Sequence, residues 1–368
     1  MPTERPSYAE CRGRAAAALA ERGLAALLVS PGADLAYLTG YRVFTSERLT
    51  CLVLDRDGGA TLVCPELEAA RASAAAPDLG RVTWRETDEP HAIAASLVRS
   101  DGDIAVADQM WAAFVLKLQT ALAGRAFSPA SAVMRPLRER KDAHEREALR
   151  AASEAADRTY ARILQRPFAG RTEREVGADL GTFLREEGHD EIGFTIVASG
   201  PNGASPHHET GERRIERGDT VVLDFGGGRE GYRSDITRTV HVGGVIEAEP
   251  GRVHDVVRRA QEAGYKAARR GASAESVDAA ARTVIDDAGY GKFFIHRVGH
   301  GIGLDGHEHP YLVHGNAQRL EAGMAFSIEP GVYLPGRFGV RIEDIALIED
   351  DGSVRPLNRA DHSFAIVT

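Results

Sequence analysis

Apolar residues recur at helical spacing through residues 8–23 and stop at Gly23, after which Ala25 to Val29 is apolar without interruption, predicting a helix and then a buried strand. Short apolar runs at 50–55, 60–64, 81–86 and 103–107 predict further strands, and the segments 66–75, 90–100 and 110–123 between them read as helices. Alternation of this kind predicts a layered α/β domain. No G-x-G-x-x-G or Walker-type loop opens any of these helices, so this portion reads as scaffold.

The run MRPLRERKDAHEREALRAA, residues 134–152, passes from a polar, proline-marked connection into a long charged helix beginning near Asp142. This change sets the expected boundary between a domain of residues 1–138 and one of 139–368. Two helices follow, at about 142–165 and 172–188, the second opening on a Thr172-x-x-Glu175 capping box. Beyond them VVLDFGGGREGYRSDITRTV (221–240) has a β-branched run on each side of a glycine-rich turn and predicts a hairpin. Two more helices, at about 250–270 and 274–288, lead to a second hairpin in FSIEPGVYLPGRFGVRIEDI (326–345). Helix, helix, hairpin thus occurs twice, and LRAASEAADRTYARI and VRRAQEAGYKAARR share a faint likeness. An internal duplication is expected to bring both hairpins into one sheet with the helices on its outer face, an α+β architecture.

Both hairpins carry acids. With the first turn centred between Arg229 and Glu230, Asp224 and Asp235 fall directly opposite each other; Glu329 and Glu343 are equally spaced about Gly336. Opposed carboxylates repel, and an unpaired buried carboxylate is very costly. Divalent cations are the simplest source of compensating charge, and two suit four carboxylates better than one.

Composition narrows the class. A chain of 368 residues with 43% hydrophobic residues can bury a sizeable core, and a net charge of -9 argues against broad binding to nucleic acid or anionic membranes. The cysteines, Cys11, Cys51 and Cys64, suggest neither a disulfide framework nor a thiolate zinc site, and the N-terminal residues lack an apolar signal core. A cytoplasmic location is expected.

Histidines gather beside the hairpins: His207 and His208 in ASGPNGASPHH, then His296, His300, His307 and His309 in IHRVGHGIGLDGHEHP. His300 stands among Gly299, Gly301 and Gly303, which permit close backbone approach. Imidazole joined to carboxylates suits zinc, manganese, iron or cobalt better than calcium. His208, His309 and His314 read as ordinary polar residues.

From about residue 142 onward the sequence resembles the pita-bread metallopeptidases, the group containing methionine aminopeptidase, aminopeptidase P and prolidase. Asp224, Asp235, His300, Glu329 and Glu343 match, in order and spacing, the two Asp, one His and two Glu of that family's dinuclear centre. The resemblance implies a pita-bread fold, with Asp235 and Glu343 bridging two divalent metals, manganese foremost, Asp224 chelating one and His300 with Glu329 completing the other. It implies that Glu329 also moves the proton of a metal-bridging water, that His207 and His307 stabilise the tetrahedral intermediate and steer the leaving group, and that His296 lines a proline pocket. The N-terminal third resembles the creatinase-like domain of prolidases and aminopeptidases P, which methionine aminopeptidases usually lack. The family is often dimeric.

The resemblance therefore implies hydrolysis of the Xaa-Pro imide bond in dipeptides, or by an aminopeptidase P on longer peptides. Arg341, two residues before Glu343, reads either as a structural partner of the bridging carboxylates or as a contact near the substrate. A dipeptidase needs a cation for the free carboxylate of its substrate, and LTGYRVFTSERL offers Arg48, with Tyr41 beside it, on a loop that in small relatives approaches the site. Creatinase-like amidinohydrolases and non-catalytic relatives lack part of the ligand set, whereas some lyases on this scaffold keep metals.

Overall fold

Ser7 opens the described chain, residues 7–368 of a computed structural model, by accepting a hydrogen bond from Glu10 N at 3.2 Å while its own N–H donates to Glu10 Oε2 at 2.7 Å. This reciprocal cap starts α1 (Tyr8–Glu21). After it come β1 (Leu24–Val29), α2 (Ala33–Thr39), β2 (Cys51–Asp55), β3 (Ala60–Pro65), α3 (Ala69–Ala75), β4 (Gly80–Trp84), α4 (Pro90–Ser96), β5 (Asp103–Val106), α5 (Ala112–Ala121), β6 (Phe127–Pro129) and α6 (Ser131–Glu139). The strands form one mixed sheet in the order β4-β3-β2-β1-β5-β6. β1 and β2 are buried along nearly their whole length, so they read as continuous apolar runs.

The described residues divide into two compact units, one through Arg138 and the other from Glu139 to Thr368. The stretch expected to be a polar connection is in fact helical: α6 contains Pro136 and buries Val133 and Met134. A proline this close to the end of a short helix removes only one backbone bond, and the buried pair outweighs it.

The second unit begins with α7 (Ala143–Ile163) and α8 (Glu173–Glu186), both opened by capping boxes, at Asp142 with Glu145 and at Thr172 with Glu175. β7 (Glu191–Ser199), β8 (Thr220–Arg229), β9 (Tyr232–Arg233) and β10 (Ile236–Val242) follow, then α9 (Ala248–Ala267), α10 (Ala274–Asp287), β11 (Gly299–Gly301), β12 (Glu308–Leu312), β13 (Ala325–Ile328), β14 (Gly331–Leu334), β15 (Phe338–Arg341), β16 (Asp344–Ile348), β17 (Val354–Pro356) and β18 (Ile366–Val367). In the first half, Tyr160, Val176 and Leu180 of the helix pair pack on Leu223, Phe225, Ile236 and Val240. In the second half, Val257, Ala260, Val277 and Ala281 pack on Phe326, Ile328 and Ala346. Because side chains alternate along a strand, Asp224 faces away from Leu223 and Phe225, and Asp235 and Thr237 away from Ile236. Each sheet thus has a helix-covered face and a polar one.

Two expectations need correction. The hairpins do not share one sheet: β18-β10-β8-β7 and β12-β11-β13-β16-β17 are separate ladders, β14-β15 is a third, and a single bridge between Thr237 and Glu343 links the first hairpin to the second. Glu343 lies between β15 and β16, where the chain leaves one ladder for the next. The first turn is also displaced by one residue. Its central residues are Glu230 and Gly231, with φ 52° and 85°, and Arg229 pairs with Tyr232. Two positive φ values are what a two-residue hairpin turn of the favoured twist requires. Asp224 therefore pairs with Thr237, and Asp235 is its diagonal neighbour on the same face. The second hairpin does pair about Gly336, with Gly331 opposite Arg341.

Close backbone crossing near the acids constrains substitution. A Cβ on Gly226 would lie 2.0 Å from Ser234 O, whereas one on Gly181, on α8, meets nothing within 4 Å. Gly226→Ala should lower unfolding free energy in urea by more than about 3 kcal/mol, above ordinary overpacking, whereas Gly181→Ala should raise it by up to about 1 kcal/mol. Equal effects would contradict this reading of the hairpin.

Candidate active site

Asp224 on β8, Asp235 just before β10, Glu329 just after β13 and Glu343 between β15 and β16 deliver four carboxylates to one cavity. It has a volume of about 580 Å³ and is lined by His207, Asp224, Asp235, His296, His300, His307, Glu329, Arg341 and Glu343, with Phe194, Ile196, Pro206 and Arg297 completing the wall. Each of the sequence-derived site residues of the second unit lies here. Ligand atoms of Asp224, Asp235 and Glu343 come within 4.8 Å of one another, as do those of His300, Glu329 and Glu343, and of Asp235, His300 and His307. Glu343 joins the first two sets, and Asp235 reaches both Asp224 and His300.

Hydrogen bonding satisfies only part of this cluster. Asp224 Oδ2 accepts from Arg341 Nη2 at 2.6 Å and Glu343 Oε2 from Thr237 Oγ1 at 2.7 Å. Among the described residues, Asp224 Oδ1, Asp235 Oδ1 and Glu343 Oε1 are buried without a partner. Orphaned carboxylate oxygens in a buried site are costly. Asp235 and Glu343 are consequently pushed well above the ordinary carboxyl range, by burial first and then by the neighbouring acids. Burial likewise lifts Glu329 to about 7, against the pull of Arg341.

The imidazole is prepared in a complementary way. Gly299 and Gly301 let the β11 backbone approach its neighbours closely, since a Cβ on either would lie 2.0 Å from Ser327 O or 2.2 Å from His309 O. His300 N donates to Ser327 Oγ at 3.0 Å, and its Nδ1 lies 3.0 Å from Gly301 O. With Nδ1–H donating to that carbonyl, Nε2 is left as the acceptor, 3.4 Å from Glu329 Oε1 and 3.9 Å from Asp235 Oδ2. Burial, and then His307, lower the His300 pKa to about 3, so the ring is neutral. Four carboxylates, three orphaned oxygens and a neutral imidazole with a free lone pair fit divalent cations.

Arg341 is buried and is a structural partner, though of Asp224 rather than of Asp235 or Glu343. Its Nη1 also donates to Tyr333 Oη at 2.8 Å and its Nε to Thr237 Oγ1 at 3.2 Å. Tyr333 in turn lies 2.8 Å from His296 Nε2, while His296 Nδ1 lies 2.7 Å from Arg297 O. Burial, reinforced by Arg341, lowers the His296 pKa to about 4, so this ring too is neutral and accepts from Tyr333. Sequence reasoning missed Tyr333, Thr237 and Arg297. Thr237 had a signal, because it lies two residues after Asp235 and so shares its face; Tyr333 and Arg297 had none.

Tyr41 and Arg48 are committed within the first unit. Tyr41 is 1% exposed and its hydroxyl donates to Glu68 at 3.3 Å. Arg48 is held by Glu86 at 2.7 Å and Glu47 at 2.5 Å. Tyr232 packs behind its turn, where its hydroxyl donates to Glu145 at 3.0 Å. His208 pairs with Glu173 at 2.8 Å. No described helix is long and apolar enough to cross a membrane.

Comparison with known proteins agrees with this geometry. Residues 147–350 match metallopeptidase family M24 and residues 12–140 match the creatinase/prolidase N-terminal domain. A probable dipeptidase PepE of Mycobacterium tuberculosis is 46% identical over 98% of this chain and 96% of its own. The Xaa-Pro dipeptidase of Lactobacillus delbrueckii subsp. lactis is 36% identical over 91% of this chain and 93% of its own. The crystal structure of a prolidase from Thermococcus sibiricus superposes with a TM-score of 0.94 at 37% identity, covering 99% of this chain and 100% of that one. The second unit therefore has the pita-bread fold with its internal duplication, and the chain belongs to metallopeptidase family M24, with a creatinase/prolidase N-terminal domain ahead of the peptidase domain.

Proposed function

We propose that this peptidase hydrolyses the Xaa-Pro imide bond of dipeptides at a dinuclear metal centre. The observation that carries the reading is the set of three orphaned oxygens on Asp224, Asp235 and Glu343 beside a neutral His300. Asp224, Asp235 and Glu343 would hold one ion, and His300, Glu329, Asp235 and Glu343 the other. When bound, such ions would acidify a water and polarise the scissile carbonyl. The oxygen-rich donor set favours manganese, with cobalt, zinc and iron also accepted.

The remaining steps belong to the chain's own residues. Glu329, whose pKa without metal is raised to about 7, takes the proton of the attacking water and returns it to the leaving nitrogen. His207 and His307, on the cavity wall, donate to the tetrahedral oxyanion and orient the leaving group. His296, neutral and held by Tyr333, presents an uncharged surface to the proline ring. Phe194 and Ile196 give the residue before proline an apolar wall.

Arg297 supports a dipeptide rather than a longer substrate. It lines the cavity with its guanidinium 4.2 Å over the Tyr311 ring, and among the described residues it forms no ion pair. A cation held by an aromatic face and not ion-paired suits the substrate's terminal carboxylate. Arg48, engaged by Glu47 and Glu86, is less available for that task. The buried, unpaired cysteines accord with a reducing cytoplasm.

The metal-reconstituted protein should cleave Xaa-Pro dipeptides in preference to Xaa-Pro-Xaa tripeptides. Arg297→Ala should raise KM for the dipeptide by roughly 10- to 100-fold, the worth of one charge-assisted hydrogen bond, and leave tripeptide KM nearly unchanged. Parallel loss on both substrates would remove Arg297 from carboxylate recognition, and no cleavage of either with manganese, cobalt, zinc or iron would remove the reading itself.

Protonation makes a second prediction. In metal-free protein, Glu329 titrates near 7 when folded, above the ordinary value of 4.5. Between those values the folded state keeps a proton that the unfolded state releases, so the stabilisation is complete below about pH 4.5 and is lost as pH rises through 7. In excess chelator, the Tm difference between wild type and Glu329→Gln should move against wild type as pH rises from about 5 to 8. A difference that is flat or moves the other way would contradict it.

A further inference from the structure

The loop between β7 and β8 brings His207 to the cavity, and a carboxylate outside the metal cluster organises that loop. Glu173, first residue of α8, is fully buried at 0% exposure. Its Oε1 accepts from Ser199 N at 2.8 Å, Ser199 Oγ at 2.7 Å and Asn202 Nδ2 at 3.0 Å. Its Oε2 accepts from His208 Nε2 at 2.8 Å and Gly211 N at 3.3 Å. The donors come from the start, the middle and the far end of the segment that contains His207.

A buried carboxylate without added cations is tolerable only when its oxygens are satisfied, and here the donors all come from the loop, at the N-terminal end of a helix whose dipole favours the anion. Any loop conformation that withdraws Ser199, His208 or Gly211 leaves a buried anion short of donors, so a single conformation is strongly favoured. His208 faces Glu173, while its neighbour His207 faces the cavity. The place of one histidine fixes the place of the other.

We propose that Glu173, acting through His208, is the positioning residue for His207. Glu173 touches neither substrate nor metal; it holds the loop in the one shape that points His207 at the reacting carbonyl. Burial alone would raise the Glu173 pKa, yet the hydrogen bonds from Ser199, Asn202 and His208 outweigh it and hold the carboxyl below its ordinary range. The anion is therefore present at any pH where the enzyme works. The proposal rests on the role given to His207 above, and its test separates the two.

The test compares Glu173→Gln, His208→Ala, His208→Gln and His207→Ala in the full-length, manganese-loaded protein. Glu173→Gln keeps the shape but offers an amide N–H where Gly211 and His208 need an acceptor. With Glu173→Gln and His208→Ala, kcat for an Xaa-Pro dipeptide should fall about 10- to 100-fold with little change in KM. His208→Gln, whose amide can still donate to Glu173, should recover most of the loss. Combined with His207→Ala, Glu173→Gln should add almost nothing, whereas a purely structural role would multiply the two losses. Hydrogen exchange of amides 200–211 should accelerate in Glu173→Gln while the interior of α7 stays protected, a readout that needs no activity. Multiplying losses, or unchanged loop exchange, would overturn the proposal. Accelerated exchange with His207→Ala fully active would retain the loop anchor and sink the role given to His207.

Discussion

Four carboxylates confined to one cavity repel one another, and most of this molecule is arranged to bear that repulsion. Arg341 is the cation within the cluster, and its ion pair reaches Asp224 alone. Asp235 and Glu343 are left with orphaned oxygens and proton affinities raised far above normal. Without added positive charge the cluster must take up protons; with divalent ions it can shed them.

The scaffold withstands this because two acid-bearing segments are tied together from behind. Arg238, the largest fully buried side chain, donates to Thr237 O, Glu343 O, Asp344 Oδ1, Ala360 O and Asp361 O, so all its N–H groups are engaged. It ties the two acid-bearing segments together at the Thr237–Glu343 bridge, where separate ladders meet. On the outer faces, two helix pairs bury the apolar side of the strands, so the acids face the cavity because strands alternate.

Much of this was legible in the sequence, and the failures are physical. β-branched runs beside Asp224 and Asp235, and the equal spacing of Glu329 and Glu343 about Gly336, pointed to two acid-bearing hairpins without any knowledge of the sheets. The turn at Glu230 and Gly231 was misplaced by one residue because Gly226, Gly227 and Gly228 precede it and Gly231 lies within it, leaving no single obvious pivot. Separate ladders were unforeseeable, since the kink at Glu343 arises from tertiary pairing with Thr237. α6 was missed because Pro136 argued locally for a break that buried Val133 and Met134 overrode. Arg48 looked like the free cation in the sequence, but glutamates at positions 47 and 86 claim it, and Arg297 escaped notice for lack of any pattern around it.

Proton counting during metal binding tests the central claim most directly. Titration calorimetry of the chelator-treated protein with manganese near pH 6.5, in buffers of different ionisation enthalpy, reports ions bound and protons released together. The account predicts two ions per chain and release of at least one proton, displaced from Glu329 or its neighbours. Binding of a single ion, or of two with no proton released, would contradict it.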